Sequence, residues 1–257
     1  MLNRVLSAAF AIVLLFIAIY NGGWIFRLMG YGVIALALYE YYTSAGIMNT
    51  YTFLGGLLTV LFLELRGFED LIIALTFMMM AFLVAGLFSE NLKLDVIGKF
   101  QVSVFYIMIP IYMLLSLEVM GYMNFIGLIF LIAWFSDTFA FFTGRFLGRH
   151  PLAPAISPKK TIEGAIGGIA GALFMSLVYY QVMGFEAYMP VVFFSVFVIG
   201  MTALSQIGDL VASKIKRTLN VKDFGKVMPG HGGILDRFDS VIILIPVVYY
   251  VVLTVIM

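Results

Sequence analysis

A chain of 257 residues that is 63% hydrophobic, only 11% charged and has a mean hydropathy of +1.09 is not an ordinary soluble protein. A formal charge of +1 offers no basic field to a nucleic-acid backbone, so no nucleic-acid partner is expected. With no cysteine, disulfides, thiolate metal sites and cysteine nucleophiles are excluded.

The composition predicts an all-α, polytopic integral membrane protein. About nine apolar runs can cross roughly 30 Å of hydrocarbon. They fall near 4–20, 24–42, 51–65, 70–88, 99–117, 122–142, 163–183, 187–207 and 240–257. The first, behind Arg4, reads as a retained helix: Asn21, Gly22, Gly23 and Trp24 make a turn, and no small-x-small cleavage site precedes them. An odd number of crossings puts the N-terminus and the 43–50, 89–98, 143–162 and 208–239 loops on one side. That side holds every Lys and Arg except Arg27 and Arg66. The positive-inside rule makes it cytoplasmic, which predicts a multi-pass inner (plasma) membrane protein whose large polar loops face the cytoplasm.

Residues 1–90 read as scaffold. Trp24, Tyr39, Tyr41 and Tyr42 fit an interfacial aromatic belt, and Met78 to Met80 fit adaptable packing. Residues 91–257 carry the chemistry. Asp137, between Ser136 and Thr138 in an apolar helix, is an ionisable group that needs a partner or water there, and Arg145 follows two turns later. In the next loop Pro151, Pro154 and Pro158 prevent a helix until Thr161 and Glu163 open one. Ser157, Lys159, Lys160 and Thr161 are therefore expected at a helix N-terminus, which attracts anions. Gly164, Gly167, Gly168 and Gly171 then give small-residue spacings for close helix packing.

The stretch from Ser205 to Asp239 mixes both charge signs between two apolar runs. Asp209, Asp223, Asp236 and Asp239 alternate with Lys214, Lys216, Arg217, Lys222, Lys226 and Arg237, a composition suited to a hard cation plus a polyphosphate. Gly230, Gly232 and Gly233 flank His231 and would let backbone N–H groups approach a ligand. Asp236 and Asp239 are three residues apart where a helix should begin, so they share one face of its first turn. No P-loop, H-E-x-x-H or G-x-S-x-G pattern occurs, and the Asp223-Phe224-Gly225 triplet lacks the other kinase segments.

Three segments resemble the CDP-diacylglycerol synthases, or phosphatidate cytidylyltransferases. Residues 213–239 read S-K-I-K-R-x4-K-D-x-G-x5-H-G-G-x2-D-R-x-D, with S-D-T-x-A-F-x2-G-R from Ser136 and S-P-K-K-T-x-E-G from Ser157. Met228, where Leu, Ile or Phe is expected, is a small departure. The resemblance implies condensation of CTP with phosphatidate to give CDP-diacylglycerol and pyrophosphate. It also implies Mg²⁺, with a second cation left open, and a metal centre at Asp209 and Asp236.

On that reading Asp239, Asp223 and Asp137 are further metal ligands or supports. Lys159, Lys160, Lys216, Arg217, Lys222 and Arg237 neutralise the triphosphate and the lipid phosphate. His231, Gly232 and Gly233 cradle a phosphate, as do Ser157 and Thr161. The lipid would keep its acyl chains in the bilayer, which predicts a groove opening sideways between helices. Homodimerisation is left open. A related CTP-dependent prenyl-lipid enzyme, such as a CDP-archaeol synthase or a dolichol-kinase-like protein, is the near alternative. A cation transporter is the distant one, since most of the acids are in loops or at helix ends.

Overall fold

A computed structural model describes residues 13–66, 71–87, 92–228 and 232–257. Among the described residues, ten α-helical elements, a short 3-10 turn at Phe185–Ala187 and one hairpin make up the fold. In chain order the helices and strands are α1 (13–21), α2 (Gly23–Ser44), α3 (Thr50–Arg66), α4 (Leu71–Gly86), α5 (Leu94–Val119), α6 (Met123–Leu147), the strands β1 (Pro151–Ala153) and β2 (Ser157–Thr161), α7 (Ile162–Met183), α8 (Val191–Thr218), α9 (Leu235–Ile242) and α10 (Leu244–Ile256).

Among the described residues, α5, α6, α7 and α8 are each long and apolar enough to cross a bilayer. The pair α9–α10, bent by 42° at Ile243, can make a fifth span. The chain is thus a multi-pass, all-α membrane protein with one small antiparallel hairpin. Two further apolar helices, Thr50–Leu65 and Leu75–Gly86, are shorter, and most of the first expected crossing lies outside the described residues.

Helix ends follow from local chemistry. Thr161 caps α7, its hydroxyl accepting the Gly164 N–H at 3.1 Å, and Gly184 in the left-handed region (φ 67°) stops it. Pro190 precedes α8, whose 28 residues span about 42 Å at 1.5 Å per residue. Since about 20 residues cross the hydrocarbon, the last turns of α8 stand beyond it. Asp209, Lys214, Lys216 and Arg217 therefore ride on a helix, not in the loop expected over 208–239. The loop expected over 143–162 is similarly shortened by the end of α6 and the hairpin.

Glycines let the chemical helices close up. A Cβ at Gly168 would lie 2.9 Å from the Ser136 carbonyl oxygen, and one at Gly164 would lie 2.8 Å from that of Ala140, so α7 packs tightly on α6 as the spacing predicts. A Cβ at Gly208 would meet Ile243 Cγ2 at 2.5 Å and the Asp239 carbonyl oxygen at 3.0 Å, which presses α8 onto α9.

Two apolar clusters flank this junction. One is built mainly on α5, α6, α8 and α10 and includes Phe125, Phe185 and Phe194. The other is built mainly on α2 and α5 and includes Tyr41, Tyr42, Phe100, Phe224 and Leu235. Tyr41 and Tyr42 are each 2% exposed. They are core residues and not the interfacial belt their sequence position suggests; Trp24 and Tyr39 are exposed.

Candidate active site

Four acids from three helices meet where α6, α8 and α9 converge. Asp209 on α8 is ion-paired with Lys160, which β2 presents. Asp236, in the first turn of α9, receives Lys216 Nζ on its Oδ1 at 2.8 Å. Its Oδ2 accepts the backbone N–H groups of Phe224 and Gly233, each at 2.9 Å. One turn on, Asp239 Oδ2 lies 3.9 Å from the same Lys216 ammonium, which also stands 5.5 Å from the centre of the Phe224 ring.

Ser240 ties Asp239 to Asp137 of α6. Its hydroxyl oxygen lies 3.2 Å from Asp137 Oδ2 and 3.3 Å from Asp239 Oδ1. A single O–H can donate to only one of those carboxylates, so the pair needs positive charge nearby. Lys160 and Arg237 are within electrostatic reach of Asp137, and Asp209 is within reach of both Asp137 and Asp239.

The hairpin explains which lysine takes part. Side chains alternate faces along a strand, and on β2 Lys160 is half-buried against Asp209 while Lys159 is exposed. Thr161 is committed to capping α7. Glu163 reaches back to the start of the hairpin, its Oε2 accepting Arg149 N–H at 3.0 Å and His150 N–H at 3.2 Å, with its Oε1 2.5 Å from His150 Nδ1.

The remaining predicted residues are placed as follows. Lys222 and Asp223 are exposed on the loop after α8; the Asp223 Cβ would be 3.5 Å from a Cβ on Gly232. Arg217 donates to the Val221 carbonyl at 3.3 Å and closes the end of α8. Ser157 is half-buried at the start of β2. Gly232 has φ 83°, a left-handed backbone that suits glycine, and it places the loop against the Asp236 carboxylate. His231 and Gly230 lie outside the described residues.

Glu40 of α2 belongs to this site, although residues 1–90 read as scaffold. It is 2% exposed, and its two carboxylate oxygens accept the Ile234 and Leu235 N–H groups, both at 3.0 Å. These are orphan donors of the α9 N-terminus. Cβ atoms at Gly225 and Gly233 would fall within 2.3 Å of the Glu40 carboxyl group, so both glycines make room for it. Ser44, one turn on, donates to the Phe224 carbonyl at 2.6 Å. No motif announces Glu40; the only available signal is an acid late in an apolar helix.

The oxygen-rich donor set suits a hard cation such as Mg²⁺. Among the described residues no three His, Cys, Asp or Glu side chains converge closely enough to form a cage by themselves. Mg²⁺ does not require one, since it commonly takes one or two carboxylates and fills its shell with water and substrate phosphate oxygens. An apolar cavity of about 780 Å³ lies elsewhere, between α3 and α4, lined by residues including Leu58, Phe62, Phe77 and Phe82.

A model of the cytidylyltransferase family matches residues 2–255. A phosphatidate cytidylyltransferase of Staphylococcus saprophyticus is 33% identical over 258 residues, covering 95% of both chains. One of Bacillus subtilis is 29% identical over 262 residues, covering 97% of both. One of Staphylococcus epidermidis is 46% identical over 117 residues, covering 46% of this chain and 44% of its own.

Proposed function

This chain belongs to the cytidylyltransferase family, and we infer from that membership that it is a membrane nucleotidyltransferase acting on CTP and phosphatidate. It transfers CMP from CTP to the lipid phosphate, giving CDP-diacylglycerol and pyrophosphate. The observation that carries the reading at the level of chemistry is the meeting of Asp137, Asp209, Asp236 and Asp239 with Lys160 and Lys216 at one helix junction.

The reaction needs little general base, because the second pKa of a phosphate monoester is about 6 and the attacking oxygen is already largely ionised near neutrality. The barrier is electrostatic, since two anionic phosphates must approach and pyrophosphate must leave. Mg²⁺, when bound, would supply neutralising charge and Lewis-acid polarisation at the phosphate groups. The residues that would hold it are Asp209 from α8 and the Asp236–Asp239 pair from α9. Asp239 is the more available of that pair, because the Asp236 oxygens already accept three hydrogen bonds. Asp137 faces Asp239 through Ser240 and adds negative charge to the same place. Lys160 and Lys216 are positioned to exchange carboxylate for phosphate oxygens, and Arg237 adds a third cation.

On the same reading the charged end of the bundle is cytoplasmic, the N-terminus lies on that side of an inner membrane, and nine segments cross it. Phosphatidate then keeps its acyl chains in the bilayer while CTP arrives from the cytosol. Purified protein in detergent, given labelled CTP, phosphatidate and Mg²⁺, should release pyrophosphate and retain label on the lipid. Release of CDP with a newly phosphorylated lipid would instead identify a kinase. EDTA should abolish turnover; full activity in EDTA would remove Mg²⁺ from the mechanism.

A further inference from the structure

Within α5 the turn Val104–Met108 is wound as a π-helix, and the sequence supplies a cause. Pro110 has no N–H, and its ring crowds the carbonyl four residues back, that of Tyr106. The Ile109 N–H bonds the Val104 carbonyl, five residues back. A π-turn inserts one residue and shifts the helix faces on either side, and such turns gather at functional sites.

Tyr106 sits in the middle of this turn. It packs against the apolar cluster that contains Ala212, Leu235 and Ile242, near neighbours in sequence of Asp209, Asp236 and Asp239. Its hydroxyl oxygen is buried and has no hydrogen-bond partner in the protein. That oxygen nevertheless lies within electrostatic reach of Asp239, Asp209 and Asp236. A buried hydroxyl normally finds a partner, and leaving one unmet is costly. Ser176 and Ser205 are the other such hydroxyls among the described residues; Ser205 lies on α8 one turn before Asp209, and Ser176 lies on α7, which carries none of the four acids.

We propose that Tyr106 is a substrate-binding residue whose hydroxyl donates to an oxygen of a phosphate group seated between α8, α9 and the π-turn of α5. The proposal rests on the nucleotidyltransferase reading above. A neutral donor suits this position. It adds a hydrogen bond to the phosphate without another charge to compete with Lys160 and Lys216 for the carboxylates. The phosphate belongs either to CTP or to the lipid, and the two sources have different kinetic signatures.

Tyr106→Phe removes the hydroxyl and keeps the ring. The unliganded variant should melt no lower than the parent protein, because it loses an unmet polar group and no contact. Its kcat/KM should fall roughly 10- to 100-fold, the range for one hydrogen bond to a charged ligand. A rise in KM confined to CTP assigns the contact to the nucleotide, and a rise confined to phosphatidate assigns it to the lipid. A fall in kcat alone assigns it to the transition state. Ser176→Ala, which also deletes an unmet buried hydroxyl, should leave all three constants unchanged.

Unchanged kinetics in Tyr106→Phe would overturn the proposal. So would a variant that melts lower, since the hydroxyl would then have a structural partner. If the unmodified protein does not convert CTP and phosphatidate at all, the family-based reaction fails first, and that result is separable from either outcome.

Discussion

The two lysines of the site have different jobs because their surroundings differ. Lys216 and Asp236 form a buried pair, with side chains 11% and 3% exposed. Removing one partner of such a pair costs about 3–5 kcal/mol, because the other charge is left buried and unpaired. Lys216→Met should therefore lower the melting temperature in detergent by several degrees as well as reduce activity. Lys160 and Asp209 are each about a quarter exposed, and an ion pair so open to water contributes about 1 kcal/mol or less. Lys160→Ala should thus leave the melting temperature within a degree or two while kcat/KM falls at least about tenfold, the size of one charge-assisted hydrogen bond. Asp209→Asn should lose about 100-fold or more, as expected when a metal-holding carboxylate is neutralised. A Lys160→Ala protein that melts far lower with normal kcat/KM would make that lysine structural and move the phosphate contacts elsewhere.

At the scale of elements, catalytic geometry depends on where α9 begins. Glu40 fixes its first two N–H groups, Lys216 fixes Asp236, and Gly208 lets α8 approach closely. Glu40→Gln keeps the shape but turns an NH₂ toward one of the two N–H donors, so one hydrogen bond is lost and a donor–donor contact replaces it. Activity should fall with a smaller loss of stability than Glu40→Ala, which leaves both N–H groups unmet at about 1–3 kcal/mol each. Gly208→Ala should reduce kcat by forcing Ile243 and Asp239 away from α8. An unaltered kcat in Gly208→Ala would show that the α8–α9 spacing does not govern turnover.

These positions also mark how far the sequence could be read. The long apolar helices follow from hydropathy, and the first-turn position of Asp236 follows from the three-residue spacing to Asp239. The extension of α8 through Lys216 was hidden because a mixed-charge run at a membrane edge resembles a loop until its amphipathic packing is seen. Lys159 and Lys160 looked equivalent until strand alternation separated them. Glu40 shows in the sequence only as an acid late in an apolar helix; its contact was not legible, since its partners lie 194 and 195 residues away and nothing local encodes it.

For the whole molecule the decisive quantity is orientation. The site residues cluster at one end of the bundle. The loop after α8, with exposed Lys222, belongs to that end, and the α7–α8 connection, with exposed Glu186, lies across the span of α8 from it. The proposed orientation, drawn from charge asymmetry, has the site in the cytoplasm, where CTP is made available, and Glu186 outside. Because the chain has no cysteine, single cysteines can report each side without further engineering. With Lys222→Cys, a membrane-impermeant maleimide added to intact cells should give no labelling until the membrane is opened. Glu186→Cys should be labelled at once. Glu186 lies outside the acid cluster, so Glu186→Cys should keep measurable activity, and Lys222→Cys, a change at an exposed position, should keep the parent melting temperature; these readouts prove that both are folded. The opposite labelling pattern would place the acids outside the cell, away from nucleotide, and a cytosolic CTP-dependent reaction could not occur there.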